Sequence, residues 1–236
     1  MRNPLILLSL GILCASFTLV PATETNNNNN TVVAFPLIKE NSSPYKTIEL
    51  DQYGLSEEAF NYAWQGYQKL IEENKISSCD YLTICDFSQS SKQKRLYIID
   101  VTNNKLLIHT HVAHGKNSGA EYATKFSNTP ESLQSSLGFY ITSNTYIGKH
   151  GLSLRLNGVD PGYNDKALER TIVIHGAAYV DAARVKAGMY MGRSWGCPAV
   201  PQKESANIIT TIKNGTCLFI YYPSRNYLQN SKILND

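Results

Sequence analysis

Thr171-Ile172-Val173-Ile174-His175-Gly176 and, further on, Gly192-Arg193-Ser194-Trp195-Gly196-Cys197-Pro198-Ala199-Val200 are the two stretches that decide how this chain reads. The first is an apolar, β-branched run closed by a glycine, the pattern of a buried strand, and it delivers a histidine at its end. The second is small and glycine-rich around its cysteine, except for Trp195, so the backbone beside Cys197 is accessible. Gly196 lets the chain turn tightly, so that successive N–H groups can point at one spot, as a developing oxyanion requires. The thiolate is the attacking form of cysteine, and an ordinary thiol is only slightly ionised at neutral pH. An imidazole that takes the proton is therefore the missing partner. His175 is the best placed of the five histidines to supply it. Taken alone, His175 reads as a satisfied core or loop histidine and Cys197 as a small buried hydrophobe. Together with the glycines they point to nucleophilic catalysis.

Working outward, the segments on either side carry the short β-branched and aromatic runs of strands, separated by Asn, Gly, Ser and Pro clusters. Strands are predicted over 81–87, 95–101, 106–114, 137–142, 152–156, 171–175 and 216–222, with a hairpin at Val101-Thr102-Asn103-Asn104-Lys105. Ser56-Glu57-Glu58 caps a helix over about 56–74, in which Ala59, Phe60, Ala63, Trp64, Tyr67, Leu70 and Ile71 recur at three- and four-residue steps. That aromatic stripe reads as a face packed on the core. A second helix is predicted over 202–213, ending at Asn214-Gly215. The class is mainly β with a few helices, and no internal repeat is evident.

The 236 residues suffice for one sizeable core. Met1-Arg2-Asn3 ahead of the apolar run from Leu5 to Val20, followed by Pro21-Ala22, reads as a signal peptide over 1–22, which implies export to the periplasm or cell envelope. Residues 23–44, with five consecutive asparagines, read as a flexible linker, residues 45–224 as the catalytic domain, and 225–236 as a loose polar tail. The net charge of +3 is mild and the basic residues are scattered, which argues against nucleic acid as a partner. Beyond the leader stand Cys79, Cys85, Cys197 and Cys217. An extended run between Cys79 and Cys85 would hold them about 20 Å apart, beyond bridging distance, whereas a turn would let them pair. His109, His111 and His114 raise the question of a metal site, but no carboxylate or cysteine stands at ligand spacing, and no cofactor is called for.

His175-Gly176, a spacer of seventeen residues and Ser194-Trp195-Gly196-Cys197 together resemble the catalytic signature of the murein L,D-transpeptidase family (YkuD-like). Trp195 stands where the common form has a second histidine, and Pro198-Ala199 also departs from it, so the chain resembles a divergent branch. Val112-Ala113-His114-Gly115-Lys116-Asn117-Ser118-Gly119 and Ser136-Leu137-Gly138-Phe139-Tyr140 are similar to runs in that branch, and the likeness covers roughly 80–223. The resemblance implies an L,D-transpeptidase-like β-sandwich or barrel preceded by the amphipathic helix. It implies a cysteine acyltransferase acting on peptidoglycan stem peptides, with release of D-alanine. The thioester would be resolved by an amine of another stem or of an outer-membrane protein.

Carried over residue by residue, Cys197 is the nucleophile, His175 the base, and the Gly176 carbonyl the group that orients the imidazole. Amides at Trp195, Gly196 and Cys197 are oxyanion candidates. Arg193, Ser194, Tyr179, Tyr190 and His150 are candidate substrate contacts. The same residues would serve an L,D-carboxypeptidase that uses water, and a catalytically silent murein-binding protein would keep the fold. A thiol–disulfide oxidoreductase favours a Cys-x-x-Cys pair, which Cys197 lacks.

Overall fold

The computed structural model describes residues 43–236, so the leader and all but the end of the expected linker lie outside the described residues. Eight strands form one sheet: β1 (Tyr81–Asp86), β2 (Leu96–Asp100), β3 (Lys105–Thr110), β4 (Gly138–Gly148), β5 (Gly151–Gly158), β6 (Val173–Ala177), β7 (Ala199–Pro201) and β8 (Cys217–Tyr221). Six helices accompany them: α1 (Pro44–Thr47), α2 (Glu57–Glu72), α3 (Ala182–Lys186), α4 (Ser205–Ile212), α5 (Arg225–Asn230) and α6 (Lys232–Asn235). The sheet order is β3-β2-β1-β8-β4-β5-β6-β7, with β1–β8 and β6–β7 parallel and the other neighbours antiparallel. Beyond the end of β3, Ala113 bridges Ala199 of β7, its N–H donating to the Ala199 carbonyl at 2.8 Å. The chain leaving one edge of the sheet thus reaches the other edge, and the sheet nearly closes on itself. Closure of this kind protects backbone groups that an open edge would leave unpaired.

The amphipathic stripe forms α2, capped by the Ser56 hydroxyl, which accepts from the Ala59 amide at 3.1 Å. Its apolar face lies on β1 and β8, with Phe60, Ala63, Tyr67 and Leu70 fully buried. Each large side chain buried in this way contributes about 1.5–3 kcal/mol. Phe139 and Phe219, cross-strand partners on β4 and β8, stack at 4.2 Å and fill the middle of the core. A second, smaller cluster of Ala113, Ala177, Val180, Met191 and Ala199 lies on the other side of β6 and β7.

One expectation is corrected, and the extended reading of the run between Cys79 and Cys85 holds. The tail read as loose is α5 and α6, with Tyr227, Ser231, Ile233 and Leu234 buried. Its anchor is the buried Asp160 carboxylate, which accepts from the Phe139 amide at 2.7 Å, the Tyr227 hydroxyl at 2.9 Å and the Ser231 hydroxyl at 2.5 Å. Gly138 has φ +110°, and a Cβ there would stand 2.5 Å from Asp160 Oδ2, so glycine at this place lets the carboxylate reach the backbone. As for the cysteines, Cys79 and Cys85 are both free thiols, Cys85 in the interior of β1 and Cys79 just ahead of it.

Replacing Asp160 with alanine strands one amide and two hydroxyls in the core, each worth about 1–3 kcal/mol if left unpaired. The expected loss in urea-unfolding free energy is about 3–5 kcal/mol, with early proteolysis of 225–236; unchanged stability would contradict this anchoring.

Candidate active site

The β6 strand presents His175 between β5 and β7, opposite Ser153 on one side and Ala199 on the other. The imidazole is only 5% exposed, and its Nδ1 lies 2.9 Å from the Gly176 carbonyl. A carbonyl can only accept, so Nδ1 carries the proton and the neutral ring offers a bare lone pair at Nε2. Burial lowers the pKa of His175, the Gly176 bond opposes that, and His150 adds a further lowering. His150 occupies the tight turn between β4 and β5, and its exposed ring stacks on His175 at 4.3 Å and 21°. The sheet thus buries one face of the base against a second imidazole.

Cys197 lies two residues before β7, beside Thr171–Val173 on the approach to β6. The parallel register that pairs Ala199 with His175 brings the two short segments together. Cys197 is partly exposed, and its Sγ lies 3.8 Å from the Thr171 carbonyl. Among the described residues no hydrogen bond joins it to His175. Burial raises its pKa, against the opposing pull of the Val173 amide and the Arg170 guanidinium. With the thiol pushed up and the imidazole pushed down, the resting pair at neutral pH is thiol and neutral imidazole rather than an ion pair.

The loop that carries the cysteine is held on three sides. Ser194 is buried, its N–H donating to the His114 carbonyl at 3.2 Å and its carbonyl accepting from Lys116 N–H at 2.7 Å. Ser135 Oγ donates to the Gly196 carbonyl and accepts from the Gly115 amide, both at 3.0 Å. Arg170 crosses beneath, donating to the carbonyls of Ser127 and Gln134 at 2.6 Å and to the hydroxyls of Ser132 and Ser136. Gly196 has φ +117°, and a Cβ there would stand 2.7 Å from the Gln134 carbonyl. Of the three oxyanion candidates, the Gly196 amide already donates to Ser194 Oγ at 3.2 Å. The amides of Trp195 and Cys197 have no protein partner among the described residues, so these two remain open to a ligand oxygen.

The remaining predicted residues separate. Ser194 spends its hydroxyl inside the loop rather than offering it outward. Arg193 lies over the Tyr179 ring at 5.9 Å, while Trp195, 71% exposed, has the Lys116 ammonium 6.0 Å from its ring. Tyr190 is exposed, as is its neighbour Met189. A cleft of about 440 Å³ opens past the end of β6, lined by Lys149, His150, Gly176, Tyr179 and Gln202. It holds Gly176 and His150, the partners of His175, while neither His175 nor Cys197 itself lines it.

The three histidines considered for metal take separate partners. His109 stacks on Tyr97 and meets the Lys94 carbonyl, His111 meets the Lys92 carbonyl, and His114 Nδ1 accepts from the buried Arg95 at 2.7 Å. Burial first and Arg95 second lower His114 to a pKa of about 4. Its role is therefore structural: it pairs with Arg95 below the segment that braces Ser194.

A family model described as "L,D-transpeptidase catalytic domain" matches residues 51–221, which include both Cys197 and His175. The chain belongs to the L,D-transpeptidase catalytic domain family. A comparison with curated protein sequences gives no match. Among solved structures, an L,D-transpeptidase from Mycobacterium smegmatis is similar at 11% identity and a TM-score of 0.38, over 61% of this chain and 59% of that one. The helical cell shape determining protein of Campylobacter jejuni has 15% identity and a TM-score of 0.39, over 68% and 57%. An L,D-transpeptidase from Stackebrandtia nassauensis has 12% identity and a TM-score of 0.36, over 76% and 77%. The chain spans 59% of the length of the mycobacterial protein.

Within this L,D-transpeptidase domain the residues that sequence reasoning missed are Arg170 and Ser135: both hold loop backbone, and the Arg170 charge also acts on the thiol. Replacing Gly196 with alanine forces a side chain into the left-handed region against Gln134, at a cost of about 1–3 kcal/mol. The expected result is a melting temperature lower by about 2–10 °C, since the loop must move away from Gln134. Thermal unfolding followed by circular dichroism checks this, and an unchanged melting temperature would contradict it.

Proposed function

We propose that this domain is an exported peptidoglycan L,D-transpeptidase of the cell envelope in which Cys197 and His175 carry out acyl transfer on stem peptides. The observation that supports it best is the fixed tautomer of His175, whose Nδ1–H is held by the Gly176 carbonyl while Nε2 is left to take a proton. In the first half-reaction the thiol leaves the Thr171 carbonyl, gives its proton to His175 Nε2, and sulfur attacks the carbonyl at the L centre of the stem's diamino acid. The oxyanion that forms accepts from the Trp195 and Cys197 amides. Collapse breaks the bond to D-alanine, whose amine takes the proton from His175, leaving a thioester on Cys197.

In the second half an amine of a neighbouring stem, or of an outer-membrane protein, attacks the thioester carbonyl. His175 takes the amine proton and passes it to the departing sulfur, which restores the thiol. No third acidic residue is required, because a backbone carbonyl does the orienting that a carboxylate does in other triads. His150 stacks on His175 and lines the cleft beside Tyr179, and Lys149 on the same wall gives that cleft the cationic donor a stem carboxylate requires.

Incubation of the protein with a stem tetrapeptide and an amine acceptor is expected to release D-alanine and yield the cross-linked product. Cys197→Ala is expected to lose at least about a thousandfold of that rate while keeping its melting temperature. Intact-mass analysis after carbapenem exposure is expected to find one adduct on wild type and none on Cys197→Ala. D-Alanine release without cross-linked product would instead mark a carboxypeptidase. Unchanged turnover in Cys197→Ala, or no acylation by peptide or carbapenem, would overturn the proposal.

A further inference from the structure

A second cleft, of about 350 Å³, lies between the segment that precedes β4 and the start of α5, and the acyl-transfer chemistry makes no use of it. That volume is at the small end of ligand clefts, which run from about 300 to 1,000 Å³. Two aromatic pairs form its walls. Phe126 and Tyr222 lie 5.0 Å apart at 44°, and Tyr163 meets Tyr227 edge-on at 5.0 Å and 84°. Phe126, Tyr163 and Tyr222 are each partly exposed there.

The side chains that line the cleft are uncharged. Carboxylate and phosphate ligands are held by charge-assisted bonds to Arg or Lys, so this composition selects against them. Polar groups are nevertheless present and unspent. The Tyr222 and Thr124 hydroxyls and the Asn226 Nδ2 have no protein partner among the described residues, while Asn226 Oδ1 is already occupied by the Tyr163 hydroxyl at 2.8 Å. Aromatic faces with a few free hydroxyl and amide groups around them suit a ligand that has an apolar C–H face and a rim of hydroxyls and amides.

The cleft is also wired to the nucleophile's loop. Ser127, on its wall, gives its carbonyl to Arg170 at 2.6 Å and its N–H to the Ser135 carbonyl at 3.0 Å, and Ser135 Oγ reaches the Gly196 carbonyl. A ligand seated here therefore rests against the scaffold that positions Cys197.

We propose that this cleft is a glycan subsite that binds a neutral, N-acetylated pyranose of the strand from which the stem peptide hangs. The inference rests on the peptidoglycan reading of the active site and adds to it a second point of attachment. Stem and sugar held on one rigid domain would raise the effective concentration of the scissile bond at the thiol.

Isothermal calorimetry on the full chain with chitotetraose, a peptide-free tetramer of β-1,4-linked N-acetylglucosamine, tests it. Saturable binding is expected, weakened about tenfold by Tyr222→Ala and by Asn226→Ala, the size of one lost stacking or hydrogen-bond contact. Both variants are expected to retain wild-type acyl transfer on a soluble tetrapeptide, which also reports that they fold. Absence of saturable binding, or binding that neither variant weakens, overturns the subsite. Because the probe carries no peptide, binding without acyl transfer would count against the role of Cys197 and leave the subsite standing, and acyl transfer without binding would do the reverse.

Discussion

The hydrogen bond from His175 Nδ1 to the carbonyl of the next residue is the constraint on which the site depends. A histidine that is free to exchange tautomers offers its lone pair at either nitrogen, whereas here Nδ1 is committed to the Gly176 carbonyl and Nε2 alone is left to take a proton. Fixing the proton at Nδ1 with a backbone carbonyl costs no side chain and adds no charge, so it operates inside a low-dielectric pocket without an ion that would itself need solvation. The register of β5, β6 and β7 then determines where that lone pair stands. Burial supplies the rest of the tuning. It opposes the charged forms of both partners, raising the thiol and lowering the imidazole. In the proposed reaction the proton therefore moves during the attack, from a cysteine that rests as a thiol.

In the proposed reaction the loop presents two amides to one oxygen, which requires support that does not relax. Here the support is polar and buried. Arg170 spans four oxygens, two from carbonyls and two from hydroxyls, and Ser135 ties the Gly196 carbonyl to the Gly115 amide. Deeper in, Arg95 is fully buried, donates to the Val112 and Gln89 carbonyls and to His114, and lies over the Phe87 ring at 4.7 Å. Burial pulls its pKa down to about 9. A buried cation of this kind adds little to stability alone, but with four of its five N–H donors directed at fixed oxygens or a nitrogen it specifies one backbone arrangement. That arrangement is the 112–116 segment that braces Ser194.

Much of this was legible in the residues. The three- and four-residue recurrence from Ala59 to Ile71 marks α2, and the β-branched runs mark seven of the eight strands, because burial on one or both faces imposes those periods directly. The eighth, Ala199–Pro201, is three residues long and ends in proline, and it exists through its pairing with β6 rather than through any period of its own. The C-terminal helices eluded a local reading because 225–236 is polar, and what orders it is a carboxylate some seventy residues away in sequence.

At the site, Cys197 and His175 stand out because glycines and β-branched residues frame them. Arg170 and Ser135 do not, since a residue that works through backbone contacts leaves no pattern in its own neighbourhood. The place of Ser194 in the motif suggests a substrate contact, yet its hydroxyl turns inward to the Gly196 amide. His114 invited a metal reading by its spacing to two other histidines, and its actual partner, Arg95, lies on a different strand approach.

Nitrogen chemical shifts of histidine in ¹⁵N-labelled protein, followed through a pH titration, test the central claim most directly. The account predicts that at neutral pH His175 is uncharged with its proton on Nδ1, and that it becomes imidazolium only below the ordinary imidazole range of about 6.5. A His175 that carries its proton on Nε2 at neutral pH, or that is already imidazolium there, would contradict it.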